Sequence, residues 1–142
     1  MAEESKNCVV AVSDWQMQCC GEPFKIGGTV EWLLHRYGKP SEIYDGLVDY
    51  YYDHHTDKWR ELYKAVGVVG RIMALYYKIE PPSEDKRGAR EFVSRCIYKK
   101  AVEVNEADGW EDGDGDLKFR GYEVYLSNCT IRPAKKYEVT FS

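Results

Sequence analysis

The chain lacks the features that mark secreted, membrane-spanning and nucleic-acid-binding proteins. No apolar run approaches the ~20 residues of a membrane-spanning helix, and residues 1–7 are polar, without the apolar segment of a secretory signal. The 20 lysines and arginines are outnumbered by 24 aspartates and glutamates, which leaves a net charge of −4. Sequence-independent binding to phosphate backbones needs the opposite balance. We therefore expect a cytoplasmic protein with no membrane association and no nucleic-acid partner.

The sequence also lacks the short motifs of common catalytic and redox sites. It contains no CxxC, no HExxH, no phosphate-binding glycine loop and no nucleophile elbow. The cysteine count is five, which is odd, so reduced thiols are expected in the absence of a secretory signal. Thiols, imidazoles and orienting acids such as Asp53 or Asp57 are present, but no spacing joins them into a catalytic triad. The sequence therefore does not predict an enzyme.

The residues that are present favour a β-rich domain. A length of 142 residues suits a single domain spanning 1–142, and the 12 tyrosines favour strands, where the ring packs while the hydroxyl stays wet. Short apolar or alternating runs predict about six strands, at Cys8–Ser13, Val30–Leu34, Val66–Ile79, Cys96–Val104, Tyr122–Leu126 and Tyr137–Phe141. We predict a mainly β fold, a small antiparallel barrel, with a sandwich as the alternative.

Glycines and one change of periodicity refine this prediction. Gly27 and Gly28 predict the turn that enters the second strand, and Gly67 and Gly70 predict a bend within the third. Between these strands the apolar residues are spaced by three and four, which predicts one helical insertion over about 41–64. Charged or glycine-rich stretches predict exposed loops over about 82–91 and 105–117.

Two stretches resemble known families. The phrase Gly27–Trp32, followed later by Gly67–Ile72, resembles the opening strands of SH3-like barrels. The segment Trp15–Phe24 reads WQMQCCGEPF and is similar to the W-Q-x-x-C-C-G-x-P-F signature of an uncharacterised bacterial domain family of unknown function. The first resemblance implies a small antiparallel barrel of SH3-like type, with an OB-like barrel as the alternative. The second brings no activity with it.

The adjacent thiols Cys19 and Cys20, with the adjacent imidazoles His54 and His55, form the first candidate site. Thiolate and imidazole are the ligands that zinc prefers. Neighbouring side chains tend to diverge, however, so each pair would supply one ligand. Further ligands would then come from Cys8, His35 or Cys129. The alternatives are a strained, labile disulfide within the cysteine pair, or a structural role in which the cysteines shape the turn.

The acidic loop is the second candidate site. Asp112, Asp114 and Asp116 stand at alternate positions, and Glu123 occupies the place of the twelfth, bidentate ligand of a calcium loop. Leu117 stands where such a loop requires glycine, and strand-like residues follow instead of a helix. The alternative is a solvated hairpin loop, in which aspartate and glycine are favoured for local reasons.

A tyrosine-bearing sheet face is the third candidate, as a surface for ligand binding. Tyrosines on neighbouring strands can stack against a peptide or a base, although cross-strand packing is their usual role. The candidate residues are Tyr76, Tyr98, Tyr122 and Tyr125, while Trp15 and Trp32 are expected in the core. We predict a binding module for a protein or peptide ligand that needs no cofactor. The alternative is a zinc-binding or thiol-dependent protein that uses the cysteine and histidine pairs.

Overall fold

Strands make up most of the chain that the structure describes. The computed structural model describes residues 6–19, 21–41, 46–53, 61–80, 95–113 and 115–135. In chain order the elements are β1 (Lys6–Ser13), α1 (Asp14–Cys19), β2 (Phe24–Lys25), β3 (Thr29–Pro40), β4 (Leu47–Tyr52), β5 (Tyr63–Glu80), β6 (Arg95–Val104), β7 (Glu106–Ala107) and β8 (Lys118–Pro133). The prediction of a mainly β protein is therefore confirmed.

The main sheet curls into a barrel-like ring. Its strand order is β3-β4-β1-β8-β5-β6, and an additional pairing joins β3 to β5. This pairing closes five strands on themselves, because residues 29–34 of β3 lie antiparallel to residues 63–68 of β5. Strand β6 pairs antiparallel with the second half of β5, along residues 72–80 of β5. A separate two-stranded sheet, β2 with β7, completes the strand pairings.

The inner face of the ring holds the main core. Along β8 the inward residues Tyr122, Val124 and Leu126 alternate with neighbours on the outer face, as the pleat of a strand requires. Aromatic rings tie this core to the start of the chain. The ring of Trp32 packs edge-on against Phe24, with ring centroids 5.0 Å apart, and against Tyr52 at 5.4 Å. The predicted core position of Trp32 is thereby confirmed.

The glycines coincide with a turn and with irregularities in the strand pairing. Residues 26–27 form the turn before β3, where Gly27 adopts a φ of +86°. The pairing of β5 with β8 shifts register once between Val66 and Val68 and again between Val69 and Arg71. These irregularities fall at Gly67 and Gly70, where β5 also changes its other neighbour from β3 to β6. The glycines thus lie where one long strand serves two parts of the sheet.

Two parts of the predicted architecture are wrong. Residues 47–52 of the predicted helical insertion form strand β4, in which Val48, Tyr50 and Tyr52 are buried at alternate positions while Leu47 is exposed. The burial period is therefore two, and the apolar spacing by three and four does not mark a helix face. In addition, β4 runs parallel to β1, so the sheet is mixed instead of wholly antiparallel.

Several other predictions fall partly or wholly outside the described residues. These are the rest of the helical insertion at 42–45 and 54–60, the loop at 82–91 and the terminal strand Tyr137–Phe141. The predicted loop over 105–117 contains the short strand β7. Among the residues that the structure describes, α1 is the one α-helix, and no helix is long and apolar enough to cross a membrane.

Candidate functional site

Helix α1 connects the core to the loop between β7 and β8. Met17 is buried in the core, and the amide of Gln18 donates a hydrogen bond of 2.9 Å to the carbonyl of Gly109. Gln16 is also buried, and its amide lies 3.3 Å from a carboxylate oxygen of Asp53. Trp15 is 54% exposed, so its expected place in the core is wrong. The segment that carries the WQxxCCGxPF signature thus anchors neighbouring parts of the fold.

Asp53 also contacts His35, which the sequence suggests only as a further zinc ligand. The Nε2 atom of His35 lies 3.0 Å from the second carboxylate oxygen of Asp53. The imidazole stacks on Tyr51, with ring centroids 4.9 Å apart. This cluster joins β3, the end of β4 and α1, which is a structural role.

Two grooves flank the short strand β2. We call the first the β7-side groove; it has a volume of about 450 Å³. Its lining residues are Pro23, Phe24, Lys25, Glu106, Ala107, Asp108 and Glu111. The second, the β3-side groove, has a volume of about 440 Å³ and shares Pro23, Phe24 and Lys25 with the first. Strand β2 is therefore a ridge between two adjoining depressions.

The pairing of β2 with β7 positions the residues of the β7-side groove. Phe24 lies opposite Ala107, and Lys25 lies opposite Glu106. Phe24 and Ala107 are buried, while Lys25 and Glu106 are exposed. The alternation of these two short strands thus places apolar side chains below and charged side chains at the surface.

Hydrogen bonds hold the loop that borders this groove. The hydroxyl of the buried Tyr122 donates to a carboxylate oxygen of Glu111 at 3.0 Å and accepts from the backbone N–H of Gly109 at 3.0 Å. A carboxylate oxygen of Asp108 accepts a bond of 2.8 Å from the backbone N–H of Trp110. Burial raises the pKa of Tyr122 far above its usual range. The phenol therefore remains a donor to Glu111 over the whole physiological range of pH.

The grooves are acidic and carry an exposed aromatic ring beside them. Five carboxylates line the two grooves, against the single cation of Lys25. Trp110 stands between the lining residues Asp108 and Glu111 in sequence and is 64% exposed. A carboxylate held in place can bind a cationic side chain through charge, and an exposed indole ring can bind one through its face.

Comparison with known proteins identifies the family. A family model described as a family of unknown function, DUF6578, matches residues 6–128. The chain belongs to this family. No curated protein and no solved structure matches the chain at a significant level. The DUF6578 match spans β1 to most of β8, so both grooves lie within it.

The predicted zinc site of this DUF6578 protein falls mainly outside the described residues. Cys20, His54 and His55 lie outside them, and of Cys19 the structure describes only its place at the end of α1. Among the described residues, no group of three or more histidines, cysteines, aspartates or glutamates is arranged to hold a metal. A zinc site at these pairs therefore stays a prediction.

The described members of the predicted calcium set do not come together. Asp112 and Asp116 are exposed, and Asp116 lies 3.4 Å from the Lys78 ammonium. Glu123 is 2% exposed on β8 and accepts a 2.6 Å hydrogen bond from the hydroxyl of Ser41. No described member of the set belongs to a group of three or more potential metal ligands, and the calcium site stays a prediction. Asp114 lies outside the described residues.

The four candidate tyrosines do not share one surface. Tyr76 and Tyr122 belong to the core cluster, so neither ring offers a face to a ligand. Tyr125 is half-buried beneath the guanidinium of Arg71, which lies 5.5 Å from the ring centroid. Tyr98 is 56% exposed on β6. The alternation of strands divided this set between core and surface, as cross-strand packing would.

Sequence reasoning missed the grooves because their residues come from distant parts of the chain. The signal that was available is the exposed loop Asp108–Asp112, in which a tryptophan follows a glycine among acids. The partner strand β2 contributes the apolar lining, and only the β2–β7 pairing brings it there.

Proposed function

We propose that this protein is a binding module that holds a basic segment of a protein partner in the β7-side groove. The observation that carries the proposal is the fixed carboxylate of Glu111, held by the buried hydroxyl of Tyr122 at 3.0 Å. A carboxylate that is already oriented loses less freedom when it binds a lysine or an arginine than a mobile one does.

The surroundings of Glu111 favour a cationic ligand over an anionic or neutral one. Glu106 and Asp108 line the same groove, and Lys25 supplies the one positive charge. The exposed ring of Trp110 adds a surface on which an ammonium or guanidinium group binds well. The negative potential of the grooves would also speed the approach of a basic partner at low salt.

The shape of the site favours a chain segment. The β3-side groove adjoins the first across the β2 ridge and adds the carboxylates of Glu22 and Glu31. Two open depressions side by side offer room for consecutive side chains of a peptide. The exposed ring of Pro23 lines both depressions and gives aliphatic stems an apolar surface to pack against.

A matched pair of variants tests this proposal. Glu111→Gln and Asp112→Asn each remove one negative charge from neighbouring positions, but only Glu111 lines the groove. Binding of a lysine- and arginine-rich peptide of about ten residues is measured by calorimetry at low and physiological salt. We expect Glu111→Gln to weaken binding about five- to tenfold, and Asp112→Asn by less than twofold.

Two outcomes contradict the proposal. The basic peptide fails to bind at low salt at millimolar concentration, or both variants lose affinity equally, which indicates a general charge effect. An acidic peptide of the same length and apolar content serves as the ligand control and is expected not to bind. Trp110→Ala is expected to weaken the basic peptide in the same range as Glu111→Gln.

A further inference from the structure

Two buried thiols meet inside the ring, away from both grooves. The Sγ atoms of Cys8 on β1 and Cys129 on β8 lie 3.6 Å apart. Cys8 is 5% exposed and Cys129 is fully buried, and both belong to the core cluster. Antiparallel pairing of β1 with β8 brings these residues together although 121 positions separate them in the chain.

A local irregularity of β8 places Cys129 beside Cys8. The strand register pairs Cys8 with Leu126 but Lys6 with Cys129, so β8 uses one residue more than β1 across this interval. Asn128 adopts a φ of +52°, the left-handed region that asparagine tolerates better than most residues. Without this extra residue, the alternation of β8 would turn Cys129 to the outer face. The bulge is therefore what creates the thiol pair.

The sulfur atoms are close enough to bond after a small rotation. A disulfide needs an S–S distance of about 2.05 Å, so the remaining gap is about 1.5 Å. The contact in the reduced protein is one in which either thiol can donate to the other. Among the described residues, the pair does not belong to a group of three or more potential metal ligands.

Cys8 is the less deeply buried of the two cysteines, at 5% exposed against 0% for Cys129. A surface groove of about 270 Å³ is lined by Cys8 together with Asn7, Val9 and Asp49 from the strand pair on one side. Tyr125 and Ser127 line it from β8. Cys129 has no exposed surface. Oxidation would therefore begin at Cys8 and be completed by Cys129.

We propose that Cys8 and Cys129 form a reversible intramolecular disulfide when the protein meets hydrogen peroxide or another small hydroperoxide. The sulfur of Cys8 attacks one peroxide oxygen, the O–O bond breaks, and a sulfenic acid and one water form. The sulfur of Cys129 then attacks the sulfur of Cys8, the S–O bond breaks, and a second water leaves with the thiol proton. In total the two thiols lose two electrons, and one hydrogen peroxide becomes two waters.

The surroundings of the pair make this reaction slow. Burial raises the pKa of the Cys8 thiol well above its usual range, with the neighbouring Cys129 adding to the effect. The thiolate, which is the reacting form, is therefore scarce at neutral pH. The bond would form during sustained oxidation and would clamp β1 to β8 across the long connection between them. This inference does not depend on the proposed peptide binding.

Mass spectrometry of the whole chain tests the proposal. Protein reduced beforehand is exposed to millimolar hydrogen peroxide, the excess is destroyed with catalase, and free thiols are alkylated. We expect peptide mapping to find a cross-linked pair of peptides containing residues 8 and 129, which disappears after reduction. We also expect the oxidised chain to melt roughly 10 °C higher, because a bond that closes so long a loop restricts the unfolded chain.

Variants separate this pair from the other cysteines. A variant with Cys19→Ser, Cys20→Ser and Cys96→Ser keeps only the buried pair, and its intact mass should fall by two hydrogen atoms. Cys129→Ser in the wild-type background should abolish the cross-link and gain oxygen at Cys8 instead. If wild-type peptide mapping shows only oxygen addition, or only disulfides that involve residues 19, 20 or 96, the proposal is wrong, whether or not the variants fold.

Discussion

Gly109 has a φ of +85°, and a Cβ atom built on it would lie 2.5 Å from the Cβ of Met17. Its N–H donates to Tyr122 and its carbonyl accepts from Gln18. Any side chain here would therefore push the loop of the β7-side groove away from α1. The position of Glu111 depends on this backbone geometry. A substitution at Gly109 should therefore affect both the stability of the fold and the proposed binding site.

Replacing Gly109 with alanine tests this dependence. We expect Gly109→Ala to lower the free energy of unfolding by about 3 kcal/mol, because strain at positive φ adds to the collision with Met17. Gly115→Ala is the control, since Gly115 also has a positive φ but nothing lies within 4 Å of the added atom. This control should lose only about 1 kcal/mol. Urea denaturation measures both values, and equal losses would contradict the packing explanation.

Strand β5 pairs with two different strands along the same side of its length. Its first half pairs with β3 to close the ring, and its second half pairs with β6. Gly67 and Gly70 lie where the pairing partner changes, but the space around the two glycines differs. A Cβ atom on Gly67 would lie 2.6 Å from the Sγ of Cys129, whereas one on Gly70 would lie 3.5 Å from the carbonyl of Tyr125. The absence of a side chain at Gly67 therefore leaves room for the buried thiol pair. A Cβ atom at Gly70 would make only an ordinary van der Waals contact.

Alanine at these two positions should separate packing from strand flexibility. We expect Gly67→Ala to lower the free energy of unfolding by about 2 kcal/mol, because the added methyl group overpacks against Cys129. Gly70→Ala should change stability by less than about 0.5 kcal/mol, because its new contact is an ordinary one. Thermal and urea unfolding of the two variants provide the comparison. A loss of the same size at both positions would indicate that bending of β5, and not space beside Cys129, requires the glycines.

The ring as a whole was only partly foreseeable from the sequence. Alternation, apolar runs and turn glycines located β1, β3, β5, β6 and β8, since these signals act over a few residues. The parallel pairing of β1 with β4 was not foreseeable, because a tyrosine-rich strand of six residues also fits a helical spacing. The grooves and the thiol pair depend on which strands meet, and no local pattern encodes that. The bulge at Asn128 alone decides that Cys129 points inward.

Burial of the thiol pair should make the stability of the whole molecule depend on alkaline pH. Burial raises the pKa of both Cys8 and Cys129. In the unfolded chain these thiols ionise near pH 8.5, whereas in the folded chain the pKa of each is higher. Above that pH the unfolded state binds fewer protons than the folded one. The free energy of unfolding therefore falls with rising pH, by up to about 1.4 kcal/mol per pH unit for each thiol.

Urea denaturation of the reduced protein from pH 7 to pH 10 measures this slope. The expected result is a constant free energy of unfolding up to about pH 8, followed by a decline. Cys8→Ala should be less stable at pH 7 because it leaves a cavity. Its free energy of unfolding should fall less steeply with rising pH, because the contribution of one thiol is missing. Tyr122 and Tyr50, whose pKa values are also raised by burial, begin to contribute near pH 10 in both proteins. They therefore cancel in the comparison, and parallel curves for the two proteins would show that Cys8 ionises as easily in the folded chain as in the unfolded one.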